Sequence, residues 1–289
     1  MSYLLLFMSI LLSVSKVVLC REIAVSSDTM KKAAKINSLV FLVAGIFMAI
    51  LSIDDFTDGT FLSGFSLLIS FLLSASLVSS QLLEIKAMAL GSAALTSFIY
   101  SLGFLVPIVF GVFIWDERIS IYQIFGIIIL LFALYLISNP KKTEKTALSW
   151  LVVAFIAMFL SGVSAVLQKT HQYSIYTYET KSFLACTLLL ASLYSFLFSV
   201  FYKRNEENAK IKNNMKIIII GGILVAFLNF VNTVLTGRLP ATIQFPIYHM
   251  GSMVLTYLIS YFAFKERYKK AQTIGLILGV LSIIIIGIL

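Results

Sequence analysis

Apolar residues follow one another along this chain in ten long runs, separated by short polar or charged stretches. A helix that crosses a bilayer needs about 20 mostly apolar residues. The runs predict ten transmembrane helices, at about 2–20, 36–53, 60–82, 88–115, 119–138, 148–168, 182–202, 215–236, 240–264 and 271–289. No basic segment precedes the first run and no cleavage pattern follows it, so we expect it to be retained as a helix.

Two motifs recur along the chain at a nearly constant displacement. A Glu-Arg pair, followed by Gln and then Gly at the same spacing, occurs at Glu117, Arg118, Gln123 and Gly126 and, 149 residues later, at Glu266, Arg267, Gln272 and Gly275. Ile-Tyr-x-x-Gly begins at Ile99 and again at Ile247, and the first and sixth helices align at the same displacement of 148, with Arg21 on Lys169. Collinear matches of this kind indicate a duplication. We predict two homologous halves, 1–146 and 147–289, that form one membrane domain.

An odd number of helices in each half has a geometric consequence. With five helices per half, the second copy enters the membrane from the opposite side, which makes the halves inverted repeats. This architecture is typical of secondary transporters, whose substrate sites lie near the bilayer midplane between the repeats.

The 289 residues form five plus five predicted helices, Glu117 and Glu266 close the fourth and ninth of them, and Gln-x-x-Gly opens the helix that follows each. This pattern resembles the EamA-type families of the drug/metabolite transporter superfamily. The resemblance covers the whole chain. It implies an all-α integral membrane fold of ten transmembrane helices in two inverted five-helix repeats. It leaves the substrate open, because this superfamily moves amino acids, nucleotide sugars, quaternary amines and drugs.

Composition excludes a soluble domain. Hydrophobic residues make up 60% of the chain and charged residues 12%, with a mean hydropathy of +1.00, whereas a soluble domain has about 25% charged residues. The net charge of +9 is spread over short loops, a pattern typical of topology signals and lipid headgroup contacts and not of nucleic-acid binding. Cys20 and Cys186 have no metal-type spacing. We therefore expect no cofactor, no metal and no nucleic-acid partner.

The distribution of basic residues predicts an orientation. The odd-numbered loops and their flanks hold 17 Lys and Arg residues, and the opposite side holds four, Arg118, Lys169, Lys181 and Arg238. The positive-inside rule then places the odd loops in the cytoplasm and both termini outside. The resemblance implies cytoplasmic termini instead, and both arrangements stay open. The membrane that we expect is a bacterial cytoplasmic membrane.

Polar side chains inside the apolar runs fall at helical spacing on one face of the first, third, fourth, sixth, eighth and ninth predicted helices. Because such groups are costly in hydrocarbon, a shared polar face indicates a cavity or a helix contact. From these stripes we predict a substrate site lined by Lys16, Gln81, Tyr100, Gln168, Asn229, Asn232, Gln244, Tyr248 and His249.

Each candidate also has a structural interpretation. Ser and Thr in the stripes commonly bond their own helix backbone, Lys16 is within snorkelling reach of the interface, and His249 is either a proton site or a packing residue. Glu117 and Glu266 can each cap the N-terminus of the following helix, where the helix dipole favours a carboxylate, and we interpret them as structural.

The function predicted from the sequence is secondary transport of a small polar metabolite, of the amino acid, nucleotide-sugar or amine class, by alternating access. Lys16 is the one formal charge well inside a predicted span and favours an anionic or zwitterionic substrate, while Glu84 and the abundant aromatic residues leave an amine open. The alternatives are a flippase for a lipid-linked substrate, a membrane-embedded enzyme of lipid or cell-wall metabolism, and a scaffold. The expected partners are a small-molecule substrate and the lipid bilayer, and a homodimer is possible.

Overall fold

The computed structural model describes residues 1–25, 30–54, 62–90, 93–138, 148–202, 215–263 and 269–288, without the side chains of 16–25, 93–95, 138, 260–261, 263 and 288. Some residues singled out in the sequence therefore lie outside the described part. They are Lys16, Cys20 and Arg21, whose backbone alone is described, and the motif residues Glu266 and Arg267.

Ten helices and no strand occupy the described ranges. They are α1 (Ser2–Val25), α2 (Met30–Leu51), α3 (Gly64–Leu90), α4, α5 (Ile121–Ser138), α6 (Leu148–Gln172), α7 (Thr180–Phe201), α8 (Met215–Thr236), α9 (Ala241–Ala263) and α10 (Lys270–Ile288). Helix α4 consists of Ala93–Ser101 and Leu105–Ile114, joined by a 3-10 turn at Leu102–Phe104. A second short 3-10 turn, Thr177–Glu179, precedes α7.

Seven helical segments are long and apolar enough to cross a membrane, and they belong to α2, α3, α4, α6, α7, α8 and α10. Within the described residues, α1 and α5 provide shorter apolar stretches. Helix α9 falls in neither group, because polar residues such as Gln244 and His249 lower its hydropathy. The chain is thus a multi-pass, all-helical membrane protein.

Several helices extend beyond the limits predicted from hydropathy. Helix α2 begins at Met30 and not near residue 36, and α3 continues to Leu90 and not to residue 82. The added residues include charged side chains such as Lys31 and Lys86. A helix remains favourable where such side chains reach the headgroup region, so hydropathy alone underestimated these lengths.

The helix starts explain the recurring Gln of the duplicated motif. At α5, Gln123 N–H donates to Ser120 Oγ and Ser120 N–H donates to Gln123 Oε1, each at 3.1 Å. This reciprocal pair is a capping box, which satisfies two free N–H groups of the first turn. At α10, Gln272 Oε1 likewise accepts from Lys269 N–H at 3.0 Å.

The recurring Gly of the same motif brings α5 and α10 together. A Cβ on Gly126 would lie 2.5 Å from Cγ1 of Ile286, and a Cβ on Gly275 would lie 2.9 Å from Cγ1 of Ile137. The start of each helix therefore contacts the end of the other, so the two helices are antiparallel. Other extensive contacts join α2 with α7 and α8, α3 with α6 and α7, and α1 with α8.

Candidate functional site

An ion pair is buried where the end of α6 meets the segment between α4 and α5. Lys169 Nζ lies 2.5 Å from Glu117 Oε1, and their side chains are 0% and 6% exposed. The ammonium also donates to the backbone carbonyls of Thr236 and Leu239, at 3.3 and 3.2 Å. The rings of Trp115 and Tyr173 lie 5.6 and 4.9 Å from Nζ. A buried charge pair is stable only when its remaining hydrogen-bonding capacity is filled in this way.

The other carboxylate oxygen of Glu117 holds the start of α9. Glu117 Oε2 accepts from Ala241 N–H at 2.7 Å, where the helix dipole favours a negative charge. Space for this oxygen exists because residue 111 is glycine, since a Cβ there would lie 2.6 Å from Oε2. We refer to Gly111, Glu117, Lys169 and Ala241, with the carbonyls of Thr236 and Leu239, as the Glu117 corner.

The corner corrects two interpretations made from the sequence. Glu117 does not cap the following helix α5, which is capped by Ser120 and Gln123; it caps α9, 124 residues further along the chain. Lys169 is not a loop residue that signals topology, because it lies inside α6 and is paired. Its alignment with Arg21, at the end of an apolar run, was the one available signal that this position carries a particular charge.

A second polar network lies at the same end of α6. His171 Nε2 is 3.1 Å from Ser66 Oγ, and the His171 ring stacks on Phe183 at a centroid distance of 3.8 Å. Glu179 Oε2 accepts from Ser63 N–H and Oγ–H at 3.0 and 2.9 Å. These bonds fix the start of α3 against α6 and α7, and each group has a partner, so we interpret the network as structural.

Four predicted site residues lie together on α8 and α9, and we call Asn229, Asn232, Gln244 and Tyr248 the α8–α9 layer. Gln244 Nε2 donates to the backbone carbonyl of Asn232 at 3.2 Å, and Tyr248 interacts with the side chains of Asn232 and Ser13. Gln168 of α6 joins this group through its Nε2, 3.4 Å from Asn229 Oδ1. Polar side chains from α1, α6, α8 and α9 thus meet in one place.

The equivalent tyrosine of the first half lies close to this layer. Tyr100 of α4 interacts with Ser161 and Ser80, and it is near enough to Glu84 and Tyr248 for their charges to influence it. Its partner Ser161 is displaced by 148 from Ser13, the partner of Tyr248. The two tyrosines of the recurring Ile-Tyr-x-x-Gly motif therefore have serine partners at the same displacement, and they lie near enough for one to influence the other.

The remaining candidates take different positions. Gln81 of α3 accepts from Asn37 Nδ2 at 3.1 Å, which links α3 to α2. The His249 ring packs against Phe104 and Tyr248, at centroid distances of 6.0 and 5.4 Å, as a packing residue does. The side chain of Lys16 lies outside the described residues. Several stripe serines, Ser9, Ser74, Ser164 and Ser252, bond their own helix backbone.

Some polar atoms of the second half are buried without a hydrogen-bond partner in the described part of the chain. In α8 and the first turn of α9 these are Asn232 Oδ1, Thr233 Oγ1, Thr242 Oγ1 and Gln244 Oε1. Buried polar atoms nearly always have a partner, so each exception needs an explanation. Four such atoms on two adjacent helices make this part of the layer less completely hydrogen-bonded than the Glu117 corner.

Two apolar grooves also lie between the helices. One, of about 280 Å³, is lined by residues of α1, α9 and α10, among them Tyr3, Phe7 and Gly251. The other, of about 310 Å³, lies between α4 and α6 and is lined by apolar residues such as Val106 and Phe155. Among their lining residues, Tyr3 is the single polar one, so neither groove presents a polar path from the bilayer toward the layer.

Comparison with known proteins finds a matching family and similar solved structures. The sequence profile of the EamA-like transporter family matches residues 148–288. A crystal structure described only as that of a protein is similar with a TM-score of 0.80 and 15% identity, over 99% of this chain and 96% of that chain. At this identity the likeness concerns the fold alone. No protein among curated sequences matches.

Proposed function

We propose that the chain, whose residues 148–288 match the EamA-like transporter family, is a secondary transporter that moves a small polar metabolite across a cytoplasmic membrane by alternating access. The observation that carries this proposal is the meeting of Tyr100 and Tyr248, with polar residues of both halves, between the helices. Secondary transporters built from inverted repeats bind substrate at such a position.

The helix contacts support the inverted-repeat arrangement on which alternating access depends. If each helix of the first five is replaced by its counterpart in the second five, and the reverse, the pair α3–α6 becomes α8–α1 and the pair α2–α8 becomes α7–α3. All four of these helix pairs are in contact. The same exchange converts the contact of Gly126 with Ile286 into that of Gly275 with Ile137. Related contacts of this kind are what a pseudo-two-fold axis between the halves produces.

In this mechanism the Glu117 corner closes one end of the path. It joins the segment between α4 and α5, in the first half, to α6, α8 and α9 of the second half. To open this end, Glu117 must separate from Lys169 or Ala241. A substrate promotes such a change only by binding more tightly to one of the two conformations.

Orientation follows from the charge distribution, and it is sharpened by the corner. Because Lys169 is buried in an ion pair with Glu117, it is not an exposed charge, and without it the even side keeps three basic residues against 17 on the odd side. We propose odd loops in the cytoplasm and termini outside. A C-terminal alkaline phosphatase fusion is expected to be active, whereas fluorescence of a green fluorescent protein fusion would support cytoplasmic termini, the arrangement that the family resemblance implies.

Transport is tested with purified protein in proteoliposomes. Counterflow of radiolabelled amino acids, nucleotide sugars and amines is measured for the native chain and for Tyr248→Phe. We expect exchange of one class and at least a tenfold loss in the variant, with Tyr122→Phe as a control, since Tyr122 is 53% exposed on α5. Absence of exchange in every class would contradict the proposal and favour lipid-linked substrates or an enzyme.

A further inference from the structure

We infer that the α8–α9 layer binds a primary ammonium group, so that substrates of this transporter carry one and their trimethylated analogues are rejected. The inference deepens the proposed function and rests on it for the word substrate, but the binding site is argued from geometry alone. Its basis is the pair of buried amide oxygens, Asn232 Oδ1 and Gln244 Oε1, that have no hydrogen-bond partner among the described residues.

The orientation of the Gln244 amide is fixed by its other end. Gln244 Nε2 donates to the backbone carbonyl of Asn232 at 3.2 Å. A carbonyl oxygen only accepts hydrogen bonds, so a flipped amide would place two acceptors against each other. The atom without a partner is therefore Gln244 Oε1, a hydrogen-bond acceptor on a side chain that is 1% exposed.

Asn232, whose backbone Gln244 contacts, carries a second open acceptor. Its backbone carbonyl is the group that Gln244 contacts, and its own Oδ1 is buried without a partner among the described residues. Tyr248, one turn after Gln244, interacts with the same Asn232 side chain. The layer thus presents a set of oxygen atoms that lack donors, and a ligand that fits must supply N–H or O–H groups.

A primary ammonium matches this set better than other polar groups. It carries three N–H donors and no acceptor, whereas a hydroxyl or a carboxamide brings an oxygen that itself needs a donor. A quaternary ammonium has no N–H and leaves both amide oxygens unsatisfied. Discrimination against an analogue that lacks the required donors is strong when the site's own polar groups remain buried.

The fixed charges near the layer do not favour an anion. Lys169, the buried cation of the second half, is neutralised by Glu117 and donates to two carbonyls, so it offers no site for a carboxylate or phosphate. The sequence-based preference for an anionic substrate group rested on Lys16, which lies on α1. The group that enters the α8–α9 layer is therefore the cationic end of an amine or of an amino acid.

The test uses matched ligands that differ in N-methylation. The melting temperature of the purified full-length protein is measured with ethanolamine against choline, and with glycine against glycine betaine. A ligand that binds the folded state raises the melting temperature. We expect a shift of several degrees with at least one of the two primary amines and a shift at least fivefold smaller with its trimethylated analogue.

Variants connect the shift to the layer. Gln244→Met removes the open oxygen at nearly constant volume, together with the Nε2 donor to the Asn232 carbonyl, so we expect it to abolish the difference within each ligand pair. Gln123→Met is the matched control, because Gln123 is also buried but lies outside the layer, at the start of α5, where its Oε1 accepts from Ser120 N–H. This control is expected to lower the melting temperature and to retain the discrimination.

Several outcomes would overturn the inference. Equal shifts with choline and ethanolamine, or no shift with any of the four compounds, would exclude recognition of a primary ammonium. A difference within a ligand pair that persists in Gln244→Met would mean that the ammonium does not bind this oxygen. Binding and transport are separated by counterflow: discrimination without exchange refutes the transporter, whereas exchange of a solute that lacks an ammonium refutes the inference and leaves the transporter.

Discussion

The Glu117 corner and the α8–α9 layer lie on the same helices but differ in how completely their polar groups are paired. In the corner, Lys169 contacts three oxygen atoms and Glu117 contacts both Lys169 and Ala241. In the layer, Asn232 and Gln244 each leave an oxygen without a partner among the described residues. Fully satisfied networks hold one arrangement, while partly satisfied ones carry a cost that a ligand can remove.

This difference assigns different roles to the two regions. The corner stabilises the conformation described here, and its charges are too completely used to bind a solute. In the layer, the open oxygen atoms of Asn232 and Gln244 contribute no bond to the fold among the described residues, and the ligand that we propose would supply donors to them. Substitutions in the corner should therefore change stability strongly, whereas substitutions in the layer should change ligand response more than stability.

Lys169→Met is expected to have the largest effect on stability, and it tests the role of the Glu117 corner. It leaves the Glu117 carboxylate buried without its counter-ion, and removal of one partner from a buried pair costs about 3–5 kcal/mol. We expect the free energy of unfolding, followed in mixed micelles by increasing the fraction of sodium dodecyl sulfate, to fall by an amount in this range.

The double variant with Glu117→Gln separates charge from packing. Because it contains no buried charge, it is expected to recover more than half of the stability that Lys169→Met loses. If Glu117→Gln lowered the free energy of unfolding by the same amount in the Lys169→Met background as in the native chain, the two side chains would not act as a pair.

Gly111→Ala tests the space beneath the carboxylate, and its expected effect is smaller. The added Cβ would lie 2.6 Å from Glu117 Oε2 and 3.2 Å from the Cβ of Ala241, and such overpacking costs about 1–3 kcal/mol. Gly64→Ala is the control, because a Cβ added at Gly64 would have no described atom within 4 Å. Equal melting temperatures for the two variants would show that Glu117 does not need the space at residue 111.

The sequence predicted the fold well because hydropathy depends on local composition. Ten apolar runs correspond to the ten helices of the described ranges, although α2 and α3 proved longer. The duplicated motif also pointed to real contacts, since Gln123 caps α5 and Gly126 packs against Ile286. These features depend on residues within one helix or on a spacing that both halves share.

The corner was missed because its contacts are not local. Glu117 and Ala241 are 124 residues apart, and no property of the intervening chain indicates that they meet. Glu117 also precedes Ser120, the capping residue of α5, by three residues, so its position in the sequence suggested that Glu117 caps α5 as well. The open acceptors of Asn232 and Gln244 could not be inferred either, because an unsatisfied atom is defined by all its neighbours at once.

The smallest predicted effect tests the corrected assignment of Glu117. Ser120→Ala removes one bond of the capping box at α5, and loss of an N-cap side chain costs about 1 kcal/mol. Glu117 and Ser120 share no partner among the described residues, since the first holds α9 and the second holds α5. Their effects on the free energy of unfolding should therefore add when Glu117→Gln and Ser120→Ala are combined. A combined loss well below the sum would mean that both residues support the same helix start, and the assignment of Glu117 to α9 would then be wrong.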